Sequence, residues 1–222
     1  KVVLWTDVHN IDAVTTVQGR IDAKAGMNGG DGGRIETSGH TIDITDLMVN
    51  AGSSRGTAGL WLIDPYDYNI YAAQANTIAS ALNTTSVFIS TTVANTAYGS
   101  STNSGEAGNL YLHANITKTG AGTTTLTLQA SQMVRMGGTT VSSTGGPLNV
   151  VVWADSDGNN DGGISALSNI STNGGHIWAG AGNVSTTWNG LTVPNGPSKS
   201  AQVGNWNSID WDGRLTTSGG DV

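Results

Sequence analysis

The chain contains no cysteine, one phenylalanine and four prolines among its 222 residues, and charged side chains make up only 11% of it. Without cysteine, a disulfide framework, a thiolate metal site and a cysteine nucleophile are all excluded. So few charged residues leave little material for large amphipathic helices. Glycine occurs 32 times, and with no collagen period its natural use is in turns. The composition therefore predicts an all-β protein.

Basic residues are also scarce and scattered, and the formal net charge is −7. Nucleic-acid binding requires a clustered Lys/Arg footprint, so we expect no nucleic-acid partner. No apolar stretch approaches the roughly 20 residues that span a bilayer, and Lys1 leads directly into a strand-like segment without the hydrophobic region of a signal peptide. We therefore expect no membrane insertion. Nothing resembles a linker, so residues 1–222 are predicted to form a single domain.

Short runs of β-branched and aliphatic residues recur along the chain, such as Val2–Leu4 and Val150–Val152. They are bounded by Gly, Asn, Ser or Asp, as is typical of strands joined by tight turns. Longer fragments repeat as well: residues 3–7 are echoed by 151–155, and residues 33–40 are echoed by 170–176 and 213–220. The shared order is a short strand, a Ser/Thr/Asn-Gly corner and another short strand, which indicates a repeat architecture.

Side chains alternate between the two faces of a strand, so residues two apart are buried together. The pairs expected to face inward are Ile42 and Ile44, Leu60 and Leu62, Leu110 and Leu112, and Leu126 and Leu128. One coil of such strands cannot bury its apolar face or satisfy its backbone alone, which favours stacked coils. At roughly 20 residues per coil the chain would make about ten coils and a rod of roughly 50 Å.

Two segments interrupt this pattern, Asp64–Asn69 and Gly190–Asn207, and both contain proline and asparagine. Because proline removes a ladder donor, we expect both to be loops that leave the coil. The alanine-rich segment Gln74–Leu82 predicts a short helix packed on the rod.

Four motifs carry a resemblance to a known family: Gly33–His40 (GRIETSGH), Gly59–Pro65 (GLWLIDP), Asn149–Asp157 (NVVVWADSD) and Trp188–Val193 (WNGLTV). In this order they resemble the β-helical repeat region of filamentous haemagglutinin-like adhesins, which are exported by two-partner secretion. The resemblance implies a right-handed parallel β-helix, secretion to the bacterial cell surface through an outer-membrane partner, and attachment or aggregation, as in biofilms. Its ligand would be a host or matrix glycan or a surface protein. No start like the family's amino-terminal secretion domain is recognisable, so we expect an interior segment of a longer protein.

The segment 155–163 has the sharpest chemical pattern. Asp155, Asp157, Asn159 and Asp161 offer alternating oxygen ligands followed by glycine, as in the opening of an EF-hand loop, and this predicts a calcium site. The pattern then departs from that loop, because Ser168 stands where a bidentate glutamate belongs. A polar β-turn without a metal is the alternative. No other cofactor is expected.

Several aromatic residues flank aliphatic strand positions, so alternation predicts that they face outward as a possible sugar-stacking stripe. They are Trp61, Phe88, Tyr111, Trp153 and Trp178. The alternative is that the two interrupting loops cover them, or that a shift of register turns some of them inward.

An enzyme is the runner-up interpretation, because β-helices also host polysaccharide lyases and hydrolases. The acidic segment, or Asp64 with Asp67, could supply carboxylates, but neither group has an evident partner base. The four histidines stand singly, and no Gly-x-Ser-x-Gly motif is present. We therefore expect a structural and binding protein rather than an enzyme.

Overall fold

The computed structural model of the protein describes residues 1–91, 108–182, 185–188, 190–194 and 208–222. The described elements are β1 (Val2–Trp5), β2 (Val14–Thr16), β3 (Gly19–Asp22), β4 (Arg34–Gly39), β5 (Thr41–Asp43), β6 (Leu47–Asn50), β7 (Leu60–Pro65), β8 (Tyr68–Ile70), α1 (Ala72–Ala81), β9 (Ser86–Ser90), β10 (Leu110–Leu112), β11 (Ile116–Lys118), β12 (Thr124–Gln129), β13 (Met133–Met136), β14 (Thr140–Ser143), β15 (Leu148–Ala154), β16 (Gly163–Ala166), β17 (Asn169–Ser171), β18 (Ile177–Ala181), β19 (Ser185–Trp188), β20 (Leu191–Pro194), β21 (Ile209–Trp211) and β22 (Leu215–Thr216).

These strands form a parallel β-helix, which confirms the predicted all-β solenoid. The first sheet has seven strands in the order β1-β4-β7-β9-β12-β15-β18. The second sheet has the order β21-β16-β13-β10-β8, and the third has the order β11-β14-β17-β22. Near the amino-terminal end, β2 pairs with β5 and β3 pairs with β6. All of these pairs are parallel, and only the hairpin β19–β20 is an antiparallel strand pair among the described elements.

The coils are longer and fewer than expected. Thr117 and Ser142, which are neighbours in adjacent layers, are 25 residues apart, whereas Asn169 and Arg214 are 45 residues apart. The seven strands of the first sheet make seven layers. At about 4.8 Å between adjacent layers, they form a stack of about 30 Å. The prediction of about ten coils was wrong because insertions at the corners lengthen individual coils without adding a layer.

The core lies inside the stack and consists of the alternate residues of each strand. The predicted inward pairs Ile42 and Ile44, Leu110 and Leu112, and Leu126 and Leu128 are all buried. Each inward column continues through successive layers, so the inward side chains of the middle layers are covered from above and below by their register partners. Burial of this kind stabilises by about 1.5–3 kcal/mol per large aliphatic side chain.

The side chains of β7 face the opposite way from the prediction. Trp61 and Ile63 are fully buried, at 0% exposure, while Leu60 and Leu62 are half-buried on the outer face. Since all four residues are apolar, alternation fixes which of them share a face but not which face is inside. The register decides, because Trp61 is aligned with Ile35 of β4 on one side and with the inward residue of β9 on the other.

The helix was predicted at Gln74–Leu82 and occupies Ala72–Ala81. It packs against β6 and β11, so within its layer it takes the place of a third-sheet strand. Ala75, Ile78 and Ala81 are the apolar residues that α1 buries against the stack. None of the described helices is long and apolar enough to span a bilayer.

Two of the three repeated fragments stack on each other. Ile170 pairs with Leu215, and in each corner a threonine hydroxyl, Thr172 Oγ1 or Thr217 Oγ1, donates to the carbonyl three residues on, at 2.5 and 2.6 Å. The fragment Gly33–His40 instead contains β4 of the first sheet. Its similarity to the other two reflects shared strand-corner chemistry and not an equivalent position in the coil.

The predicted loop at Asp64–Asn69 is not an excursion. Strand β7 extends to Pro65 and β8 begins at Tyr68, so the segment is a tight corner between two sheets. Proline is tolerated there because it is the last residue of its strand, where the ladder ends. In the second predicted loop, Gly190–Asn207, residues 191–194 form β20, and residues 195–207 lie outside the described part of the chain.

Candidate functional site

The acidic segment lies in the corner between β15 and β16 and wraps around one carboxylate. Asp155, Gly158 and Asn160 have φ values of +47°, +72° and +68°, a left-handed conformation that Gly, Asn and Asp tolerate best. Asn160 N–H donates to Asp155 Oδ1 at 3.0 Å, and Gly158 N–H donates to the Asp155 carbonyl at 3.0 Å. The backbone of the loop therefore closes over the Asp155 side chain.

Three carboxylates converge in this loop. Oxygen atoms of Asp155, Asp157 and Asp161 all lie within 4.8 Å of one another. Asp155 is fully buried, at 0% exposure, and its Oδ2 has no hydrogen-bond partner. Burial, with the charges of the other two carboxylates added, raises the pKa of Asp155 to about 6, and burial also raises the pKa of Asp157. Convergent carboxylates with an unpartnered oxygen suit a hard cation such as Ca²⁺.

Asn159, the fourth predicted ligand, braces the loop. Its Oδ1 accepts from Asp161 N–H at 3.0 Å, and its Nδ2 donates to Asp157 Oδ2 at 3.0 Å. Ser168, at the twelfth position of the EF-hand-like pattern, is buried one corner further on and bonds Thr139 Oγ1 at 2.8 Å. The loop therefore gathers three carboxylates but does not continue as an EF-hand.

A pocket of about 180 Å³ opens beside this loop on the outer face of the second sheet, and we call it the polar pocket. It is lined by Asn109, Tyr111, Gln132, Met133, Arg135 and Asp161. Tyr111 and Arg135 are register partners on β10 and β13, and the guanidinium carbon lies 5.9 Å from the centre of the ring. That geometry is a cation–π contact, which holds both flat groups side by side. Asp161 belongs both to the polar pocket and to the carboxylate cluster.

Of the aromatic residues predicted to face outward, Tyr111 lines this pocket and Trp61 does not face outward at all. The prediction for Trp61 was wrong: it lies in the core, where its Nε1–H donates to Thr37 Oγ1 at 3.1 Å. No ligand can stack on it without unfolding the coil.

Trp153 does face outward, but the hairpin β19–β20 covers it. It is 6% exposed, packs with Val151 and Val193, and donates from Nε1 to the Gly182 carbonyl at 2.7 Å. Trp178 is half-buried in the same cluster. The alternative prediction, that chain segments cover the aromatic residues, therefore holds for Trp153 and Trp178. Neither of them forms an open sugar-stacking surface.

Phe88 lines a groove of about 400 Å³ between the first sheet and the tip of the hairpin. Leu60, Val151 and Leu191 supply apolar walls, and Thr125 a hydroxyl-bearing one. This groove follows from the reversed facing of β7, which places leucine on the outer face.

The second predicted carboxylate pair, Asp64 with Asp67, is divided between two environments. Asp67 Oδ1 accepts from Asn109 N–H at 2.5 Å. Asp64 lies on the outer face of the first sheet, one strand from Glu36, and is 8% exposed with no partner for its Oδ1. Burial, and then the charge of Glu36, raises the pKa of Asp64 to about 7. Glu36 is itself paired with Lys1 Nζ at 3.4 Å.

Sequence reasoning did not single out Arg135, Asn109, Gln132 or Glu36. Each acquires its neighbours only through the register between layers, and the unequal coil lengths hide that register from any search at one fixed period.

No protein-family model matches the chain. No curated protein and no solved structure matches it either. The resemblance to filamentous haemagglutinin-like adhesins thus stays a prediction that rests on the four motifs.

Proposed function

We propose that this chain is a structural and glycan-binding segment of a secreted bacterial adhesin, with the polar pocket as its point of contact. The observation that carries the proposal is that Asp161 belongs to two structures at once. One is the carboxylate cluster suited to Ca²⁺, and the other is the pocket that contains Tyr111 and Arg135. A ligand in the pocket can therefore contact a bound cation and both flat side chains.

The chemistry of the pocket suits a sugar. The half-exposed ring of Tyr111 offers an apolar face for a pyranose, while Asn109, Gln132 and Arg135 supply amide and guanidinium groups for its hydroxyls. A Ca²⁺ ion takes six to eight oxygen ligands. Because the cluster supplies only three carboxylates, coordination positions stay available to water or to sugar hydroxyls.

The rod supplies the mechanical role. Stacked parallel coils hold the pocket on the side of an extended body, where a long molecule attached to a cell can present it. Location at the bacterial surface and export through an outer-membrane partner rest on the family resemblance. Labelling of intact source cells by an antibody against this segment supports them, and labelling only after permeabilisation contradicts them.

A glycan array tests the binding function. We expect the wild-type protein to bind a subset of glycans in calcium and to lose that signal in chelator. Tyr111→Ala and Arg135→Ala should each lower the signal at least about tenfold, a loss of about 1.4 kcal/mol. Trp5→Ala, which removes an outward aromatic of the first sheet, is the matched control and should bind as wild type. Equal signals for all four proteins, or no signal for any glycan, would contradict the proposal.

A carbohydrate-active enzyme is the second candidate, favoured by the pair Glu36 and Asp64. A carboxyl with a pKa raised to about 7 suits a general acid, and a neighbouring carboxylate is the usual second group in glycoside hydrolysis. An assay for new reducing ends on any bound polysaccharide separates the candidates. Turnover that Asp64→Asn abolishes supports the enzyme, and unchanged polymer supports the adhesin.

A further inference from the structure

We infer that the ligand is an extended carboxylated polysaccharide lying along the axis of the rod, and that a second pocket, three layers from the carboxylate loop, holds its other end. This inference rests on the proposed function. It adds the class of glycan, its direction and a second binding subsite.

The first support is a continuous row of flat side chains on the outer face of the second sheet. The ring of His113 stacks on that of Tyr111, with centroids 6.0 Å apart, and on that of Tyr71, with centroids 4.7 Å apart. Arg135 extends the row on the other side of Tyr111. We call these four residues the aromatic track. It runs from the layer of β8 across β10 to β13 and ends beside Asp161.

The direction of the track matches a chain and not a single sugar. Adjacent strands are about 4.8 Å apart, so the distance from β8 across β10 and β13 to the corner before β16 is about 15 Å. That is several times the width of one flat side chain. The steps from Tyr71 to His113 and from Tyr111 to Arg135 cross to the next layer, while the step from His113 to Tyr111 runs along β10. Sugar rings placed along the track therefore contact three layers of the rod.

The second support is a pocket of about 370 Å³ at the far end of the track, which we call the edge pocket. It opens at the edge of the second sheet, where β8 is the last strand. On the other side of this edge, β5 pairs with β2 in a separate sheet. Tyr71 belongs to both the aromatic track and this pocket, and Tyr66, Tyr68, Asn69 and Gln74 also line it.

The edge pocket contains polar atoms that lack partners. Tyr68 is 4% exposed, and its hydroxyl has no hydrogen-bond partner. Gln74 Oε1 is likewise buried without a partner. Buried polar groups are nearly always hydrogen-bonded, so two such atoms among the residues that line one pocket favour a ligand that brings hydroxyl groups. Tyr66 and Tyr71 add aromatic faces, as expected of a subsite for a sugar.

The loop end of the track carries Arg135 beside Asp161, whereas Asp67 and His40 line the edge pocket, so the carboxylate of an acidic glycan would be held at the loop end. Arg135 presents a planar fork that matches a carboxylate. Without a cation, the neighbouring carboxylate cluster would repel an anionic sugar, whereas bound Ca²⁺ would bridge the two. The protein carries a net charge of −7, which repels an acidic polysaccharide. Such a polysaccharide would therefore be held at this end of the track, by Arg135 and the bound cation.

Calorimetry with a length series of oligogalacturonates in calcium tests the inference. We expect the hexasaccharide to bind at least about tenfold more tightly than the disaccharide. Tyr71→Ala and Gln74→Ala should reduce hexasaccharide affinity to that of the disaccharide. Arg135→Ala should weaken both ligands. Trp5→Ala is the matched control, and circular dichroism verifies that each variant keeps its β structure.

The outcomes distinguish the inference from the proposed function. Equal affinity for all lengths, together with wild-type behaviour of Tyr71→Ala, overturns the extended chain and the edge pocket while calcium-dependent binding survives. A carboxyl-reduced hexasaccharide that binds as tightly as the acidic one, or a hexagalacturonate that does not bind at all, overturns the acidic assignment. Loss of calcium-dependent binding to every glycan on the array overturns the proposed function itself.

Discussion

Asp155 is the residue on which the carboxylate loop depends. It is buried, one of its oxygens has no partner, and its pKa is raised to about 6. We predict that Asp155→Asn weakens calcium binding at least about tenfold in calorimetric titration of chelator-treated protein. Asp210→Asn, an exposed acid on β21, is the control and should bind calcium as wild type. Absence of heat from the wild-type protein at millimolar calcium would reject the metal site.

The same carboxyl sets the pH dependence of the site. Calcium requires the deprotonated form, so protons compete with the ion below the pKa of about 6. We predict that calcium affinity is constant above about pH 7 and falls as the pH is lowered through 6. Titrations in buffers on both sides of that value check this, and affinity that does not change with pH would contradict the assignment of Asp155.

Asp64 should make the protein less stable at high pH. Its pKa is raised from 3.8 to about 7, so the folded state holds the proton more tightly than the unfolded state. Its contribution to the free energy of unfolding is therefore full below about pH 4 and is lost as the pH rises through 7. We predict that Asp64→Asn stabilises the protein at pH 8 by on the order of 4 kcal/mol and has little effect near pH 4. Asp12→Asn, on an exposed acid, is the control in thermal unfolding at both pH values.

At the scale of the element, substitution in β7 tests whether Trp61 faces the core. Removal of the fully buried Trp61 leaves a large cavity between two layers, and we predict that Trp61→Ala lowers the free energy of unfolding by about 3–5 kcal/mol. Trp5→Ala, at an outward position 40% exposed, should cost about 1 kcal/mol or less. Denaturant unfolding measures both. Similar costs for the two variants would show that Trp61 is not a core residue.

The hairpin β19–β20 is a separate element whose packing rests on a small apolar cluster. Val193 is fully buried against Val151 and Trp153. We predict that Val193→Asp releases the hairpin from the first sheet, because a carboxylate cannot be buried there without a partner. Quenching of tryptophan fluorescence by acrylamide should rise while the β-sheet circular dichroism is kept. Thr187→Asp, at an exposed position of the same hairpin, should leave quenching unchanged.

The whole molecule is a column in which each coil depends on its neighbours. Inward side chains are covered by the layers above and below, and the ladder bonds of the three sheets run between layers and not within one. We predict that circular dichroism shows mainly β structure. A helix-dominated spectrum would contradict the solenoid.

Much of the fold was predictable because local chemistry repeats. The pairs Leu110 and Leu112, and Leu126 and Leu128, alternate with polar or aromatic residues, so their facing follows from the pleat alone. The helix was found within two residues because its segment is rich in alanine and lacks glycine and proline. Strand β7 was not predictable in the same way, since Leu60 and Trp61 are both apolar and local pattern does not choose between them.

The amino-acid sequence by itself determined the all-β class, the strand-and-corner repeat of a solenoid and the gathering of acidic side chains in one loop, because these depend on neighbours within a few residues. Only the tertiary structure decided the number of layers, the burial of Trp61 and the meeting of Tyr111, Arg135 and Asp161. Those contacts join residues a whole coil apart. Because corner insertions make coils of 24 to 45 residues, their partners are set by hydrogen-bond register and not by any spacing along the chain.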